Sequence, residues 1–110
     1  MQKSLWSVQF KSNLQDFGGG VVVIDGNQVV GGDFGYYYLG TCTISGNSAT
    51  AIVTVTKHNP SVSSIFGDIH SFKLVLTGTV SDNLLSFSGH MESAPQMTLT
   101  ASMRKLVNLQ

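Results

Sequence analysis

The chain has 110 residues, with six basic residues against six acidic ones and only 11% charged, so its formal net charge is zero. A neutral chain offers no basic footprint for phosphates, which speaks against direct nucleic-acid binding, and it has neither an acidic tail nor a polybasic run. The length fits one domain over residues 1–110, and a single cysteine, Cys42, excludes an intrachain disulfide and reads as a small buried hydrophobe in a reducing compartment.

The segment Met1 to Ser7 has no apolar signal-type core, and the longest apolar run, Val21 to Ile24, is far too short to span a membrane. The expectation is a soluble, cytoplasmic protein. Low charge beside 42% hydrophobic residues further suggests a homo-oligomer that buries an apolar face.

Along the chain, turn residues punctuate runs rich in Val, Ile, Thr, Phe and Tyr. Ser4 to Lys11 alternates, with Trp6, Val8 and Phe10 inward and Ser7, Gln9 and Lys11 outward. The next run starts at Phe17, passes Gly18-Gly19-Gly20 and ends in Val21, Val22, Val23 and Ile24, where apolar residues fill both faces. Such a strand is either covered on both sides or meets a second subunit with its outer face, which makes these four residues the candidate dimer interface.

Asp25-Gly26-Asn27 predicts a tight hairpin, because these residue types tolerate the positive φ of primed turns, and Gln28 to Gly32 then runs back beside the preceding strand. Phe34 to Ile44 reads as a strand with Tyr36 and Tyr38 on one face and Tyr37 and Leu39 on the other. Ser45-Gly46-Asn47 turns it into Ser48 to Lys57, with Ala49, Ala51, Val53 and Val55 against Thr50, Ile52, Thr54 and Thr56. Alternation fails from His58 to Asp68, the longest expected loop, read either as a functional lid or as a crossing connection closed by Ile65 and Phe66.

Ile69 to Val80 places Phe72, Leu74 and Leu76 on one face, Leu84 to Met91 does so with Leu85, Phe87 and Met91, and Gln96 to Arg104 with Met97, Leu99, Ala101 and Met103. The sum is an all-β fold of about eight strands joined as sequence neighbours, the number that closes a single antiparallel up-and-down barrel.

No reactive constellation emerges. His58, His70 and His90 lack metal-ligand spacing, neither a GxSxG elbow nor a Cys/His pattern surrounds a nucleophile, and the aspartates sit beside turns, where Asp caps the local backbone. The glycine clusters border strands and open no helix, so they do not read as phosphate loops. Tyr36-Tyr37-Tyr38 lacks the positive groove that a base-stacking platform adds. The sequence therefore points to no enzyme, no metal and no cofactor.

The segment Asp25-Gly26-Asn27-Gln28-Val29-Val30-Gly31-Gly32-Asp33, preceded by a glycine-rich strand and by Leu5-Trp6-Ser7-Val8-Gln9-Phe10, resembles the GrlR-like family. The likeness runs on through Tyr38, Gly40 and the Ser45 hairpin to His58-Asn59. The founding member of that family is a negative regulator of type III secretion in enteropathogenic bacteria. The resemblance implies a lipocalin-like (calycin) barrel with an apolar interior, assembled as a homodimer and acting in transcription regulation by sequestering a transcriptional activator. The family's acidic partner loop corresponds to Ser45-Gly46-Asn47-Ser48-Ala49-Thr50, which holds no carboxylate, so no partner-contact residue carries over.

Two functions follow as expectations. The first is a non-enzymatic regulatory protein that binds a protein partner. The alternative is a carrier barrel for a small apolar ligand, with Trp6, Phe10, Tyr36, Tyr38 and Phe87 lining its cavity.

Overall fold

The structure is a computed structural model and describes residues 3–13, 18–62 and 69–109. Its strands are β1 (Ser4–Ser12), β2 (Gly18–Asp25), β3 (Gln28–Gly32), β4 (Tyr36–Ser45), β5 (Ser48–Lys57), β6 (Ser71–Ser81), β7 (Leu84–Met91) and β8 (Ala94–Asn108). Each pairs antiparallel with the next, and β1 pairs with β8 to close the barrel. This is the all-β, eight-stranded up-and-down architecture expected of a lipocalin-like barrel, and closure leaves no strand edge open to a neighbour.

Alternation builds the core. Trp6 and Val8 of β1, Leu74 and Leu76 of β6, Leu85 and Phe87 of β7, and Leu99, Ala101 and Met103 of β8 all point inward and are buried. Inward glycines let the strands coil tightly. A Cβ on Gly89 would lie 1.9 Å from the Val75 carbonyl oxygen, and one on Gly78 would lie 1.8 Å from that of Ser86, so neither position admits a side chain at this strand curvature.

The two ends of the barrel differ. At one end β2 and β3, β4 and β5, and β6 and β7 are joined by two-residue turns in which only the first central residue has positive φ: Gly26 at 63°, Gly46 at 61° and Asp82 at 50°. That is the pattern of a type II′ turn. At the other end β7 and β8 are also joined by two residues, Glu92 and Ser93, while the β1–β2, β3–β4 and β5–β6 connections are longer.

Four expectations are corrected or bounded. Val22 and Ile24, expected at a dimer interface, are 3% and 1% exposed and face the barrel interior, because β2 keeps strict alternation through its apolar run; only Val21 and Val23 face outward. The strand expected from Phe34 begins at Tyr36, since Asp33 folds the two residues after it into a turn. β8 continues past Arg104 to Asn108, with a bulge at Leu106 opposite Leu5 and Trp6. Phe17, Ile65, Phe66 and Asp68 lie outside the described residues.

Candidate functional site

The barrel interior is nearly full. The space left between side chains such as Val8, Phe10, Tyr38, Leu76, Phe87 and Met103 is a cavity of about 40 Å³. A single water needs ~10–15 Å³ of such space, whereas small-molecule sites measure ~300–1,000 Å³. Of the five aromatic residues expected to line a ligand cavity, Phe10, Tyr38 and Phe87 border this space, and Phe10 meets Tyr38 edge-on at 5.4 Å.

Trp6 and Tyr36 do not border it; they plug the two ends. Trp6 is fully buried where the chain enters the barrel, its Nε1 donates to Ser4 Oγ at 2.8 Å, and Lys105 Nζ lies 5.6 Å from its ring centroid. Tyr36, at the loop end, packs against Phe72, donates its hydroxyl to the Ile69 carbonyl at 2.8 Å and carries Lys57 Nζ 5.9 Å from its ring centroid.

The loop between β3 and β4 is built around one carboxylate. Asp33 Oδ1 accepts from the backbone N–H groups of Gly35 and Tyr36, each at 2.8 Å, and Oδ2 accepts from the Tyr38 hydroxyl. Burial first, then the hydrogen bond to Asp33 and its negative charge, push the Tyr38 phenol well above its ordinary range, so it stays a neutral donor. The residues that open the β5–β6 connection grip the same loop from the other side. The backbone N–H groups of His58 and Asn59 donate to the Gly35 carbonyl at 2.9 and 3.2 Å, and Asn59 Nδ2 donates to the Phe34 carbonyl at 3.4 Å. His58 Nε2 lies 3.0 Å from the Asp33 carbonyl, an oxygen that can only accept, so this nitrogen carries a proton.

The product of this bonding is a fixed backbone that lifts Phe34 into solvent, 78% exposed. Sequence reasoning placed Phe34 in a strand and missed it. The signal was present in the Asp-Phe-Gly triplet, because Asp followed two residues later by Gly favours a side-chain-closed turn.

Two kinds of side-chain row cross the outer surface. Two rows of outward hydroxyls run in register across β5 to β8: Thr50 pairs Thr77, Thr77 pairs Ser88 and Ser88 pairs Thr100, while Ser48 pairs Thr79, Thr79 pairs Ser86 and Ser86 pairs Ser102; Ile52 and Leu84 are exposed apolar residues on the same strands. One apolar row runs from β8 through β1 to β4: Val107 pairs Leu5, Leu5 pairs Val23, Val23 pairs Val30 and Val30 pairs Leu39, with Asp25, Gln28, Thr41 and Thr43 exposed on the same strands. Val21 and Tyr37 flank Gly32 in the neighbouring row.

Among the described residues, no three His, Cys, Asp or Glu side chains come together in a way that could hold a metal ion. His70 is exposed, and His90 sits beside the Met91 carbonyl, 3.1 Å from its Nδ1. Cys42 is a buried free thiol, and burial pushes its pKa up, away from the thiolate that nucleophilic chemistry needs. No family model matches the chain, and no curated protein matches it.

Proposed function

We propose that this barrel is a non-enzymatic regulatory module that acts by binding a protein partner, in the manner of the GrlR-like family it resembles. The observation that carries this reading is Phe34, a large apolar side chain held out in water by a loop that hydrogen bonds fix from two sides. Exposed aromatic residues on preorganised backbone are the usual anchors of protein interfaces, because little entropy remains to be lost on docking. The nearly filled interior supports the same reading, since binding capacity then lies on the outside.

A transcriptional activator of type III secretion as the partner, a cytoplasmic setting in a bacterium and assembly as a homodimer belong to this proposal through the resemblance. The hairpin at Ser45 to Thr50 lacks the family's acidic loop, so Phe34, at the other end of the barrel, is the anchor we assign. The carrier alternative would need its interior to open well beyond 40 Å³.

The test is photo-crosslinking in the native host with benzoylphenylalanine at position 34, beside the same probe at Thr77 on the hydroxyl face. A discrete adduct to one other protein from position 34 alone, with affinity for that protein falling at least ~30-fold in Phe34→Ser, is the expected result. Equal labelling from both positions, or full affinity in Phe34→Ser, would overturn the reading. Phe34→Ser should leave stability within about 0.5 kcal/mol of the parent, because the ring is mostly in water already.

A further inference from the structure

We infer that the small cavity inside the barrel is a site for a single neutral, apolar molecule of one or two heavy atoms, with the size and polarity of dioxygen. Such a guest needs no opening of the interior, unlike an organic ligand of the carrier alternative, and it has no contact with Phe34.

Size sets the upper limit. The cavity measures about 40 Å³, against ~150 Å³ for an apolar cavity that admits the six carbons of benzene. That is about a quarter of the volume, enough for one or two heavy atoms and too little for a ring or a chain.

Polarity selects between guests that fit. Water fits by volume, but a buried water typically makes about three hydrogen bonds. Among the described residues, the only polar side-chain groups on the wall belong to Tyr38 and Cys42. The Tyr38 hydroxyl already donates to Asp33 Oδ2, and the protonated Cys42 thiol is a weak partner. The strands that form the wall spend their backbone groups on the ladders around the barrel. The rest of the wall is Val, Ile, Leu, Ala, Phe and Met, which offers a guest dispersion contacts alone. A water entering this space gives up hydrogen bonds that it does not regain, whereas an apolar molecule gives up none.

The fold keeps the space from collapsing. In a closed sheet the radius follows from strand number and stagger, so the wall cannot shrink onto a gap as a loosely packed core does. Ala51 of β5 and Ala101 of β8 add only a methyl group each to that wall. Access is filtered at both ends, where Trp6 and Tyr36 stand buried and held by their hydrogen bonds. A chain has no path past these rings, while a diatomic needs only the brief gaps that side-chain motion opens.

Methyl NMR of the intact chain under rising xenon pressure tests the site, xenon being a monatomic apolar probe. The methyl shifts of Val8, Leu76, Ala101 and Met103, which border the cavity, should move and saturate at one xenon per chain. Those of Leu85, buried but away from the cavity, and of Thr77, on the outer face, should barely change. Dissolved dioxygen, which is paramagnetic, should speed relaxation of the same four sets of methyl groups well beyond that of Leu85. Ala51→Val grows into the cavity from β5 and Ala101→Val from β8, and either one, if folded, should abolish the saturable shift. Two variants on different strands keep the test decisive if one of them fails to fold.

Shifts at the cavity that merely track those of Leu85, or saturation that persists in a folded filling variant, overturn the inference. So does uptake of benzene by the parent, because the site would then not select by size. Xenon uptake does not involve Phe34, so this inference and the partner reading fail separately.

Discussion

One carboxylate organises the loop end of the barrel. Asp33 serves two backbone N–H groups and the Tyr38 hydroxyl, so Asp33→Ala strands several donors at once, the most buried being the phenol. Leaving a buried donor without a partner costs about 1–3 kcal/mol. Urea unfolding of Asp33→Ala should show a loss of at least that size, whereas Tyr38→Phe, which removes donor and polar burden together, should lose less. The same pair fixes an alkaline limit. The Tyr38 phenol is raised in the folded state, so the unfolded chain releases this proton first, near pH ~10. Its contribution to stability is complete below that pH and declines as pH climbs beyond it toward the higher folded value. The urea midpoint should fall more steeply above pH 10 in the parent than in Tyr38→Phe.

At the level of the strand, curvature rests on positions where a side chain is forbidden. Gly89→Ala drives a methyl against the Val75 carbonyl and should destabilise by about 1–3 kcal/mol, read as a lowered thermal midpoint. Gly26→Ala meets no neighbour within 4 Å, so only its positive φ opposes it, and it should lose less, about 1 kcal/mol. Much of this level was legible in the sequence. Alternation in β1, β5, β6, β7 and the body of β8 identified the inward residues, and Asp-Gly-Asn and Ser-Gly-Asn marked hairpins where the turns stand. Val21 to Ile24 was not legible, because a wholly apolar run carries no alternation to say which residues face in. Nor was the outward apolar row, since Val30 and Leu39 become neighbours only through the register of paired strands. Phe34 escaped because the contacts that hold its loop come from His58 and Asn59, far along the chain.

For the molecule as a whole, what matters is that the core is nearly filled. A neutral fluorescent fatty-acyl probe should show no stoichiometric binding to the parent by titration, because the cavity of about 40 Å³ cannot hold a chain. Removing a ring from the wall changes that premise. Phe87→Ala should cost about 3–5 kcal/mol and enlarge the void enough for a small apolar molecule such as benzene to enter. The fold also joins its first strand to its last, so closure waits on a long-range pairing, and refolding in milliseconds to seconds is expected by stopped flow.

The thiol of Cys42, 4% exposed within that apolar wall, also works as a clock. An alkylating reagent can reach it only when the strands part, and it reacts slowly even then unless the sulfur has shed its proton. The labelling rate in the absence of denaturant, divided by the rate on unfolded chain, therefore gives the equilibrium fraction of barrels that are open at any moment. Any covering of the outer face that holds the strands together, by a twin or by another protein, would register as a slower tick of this one atom.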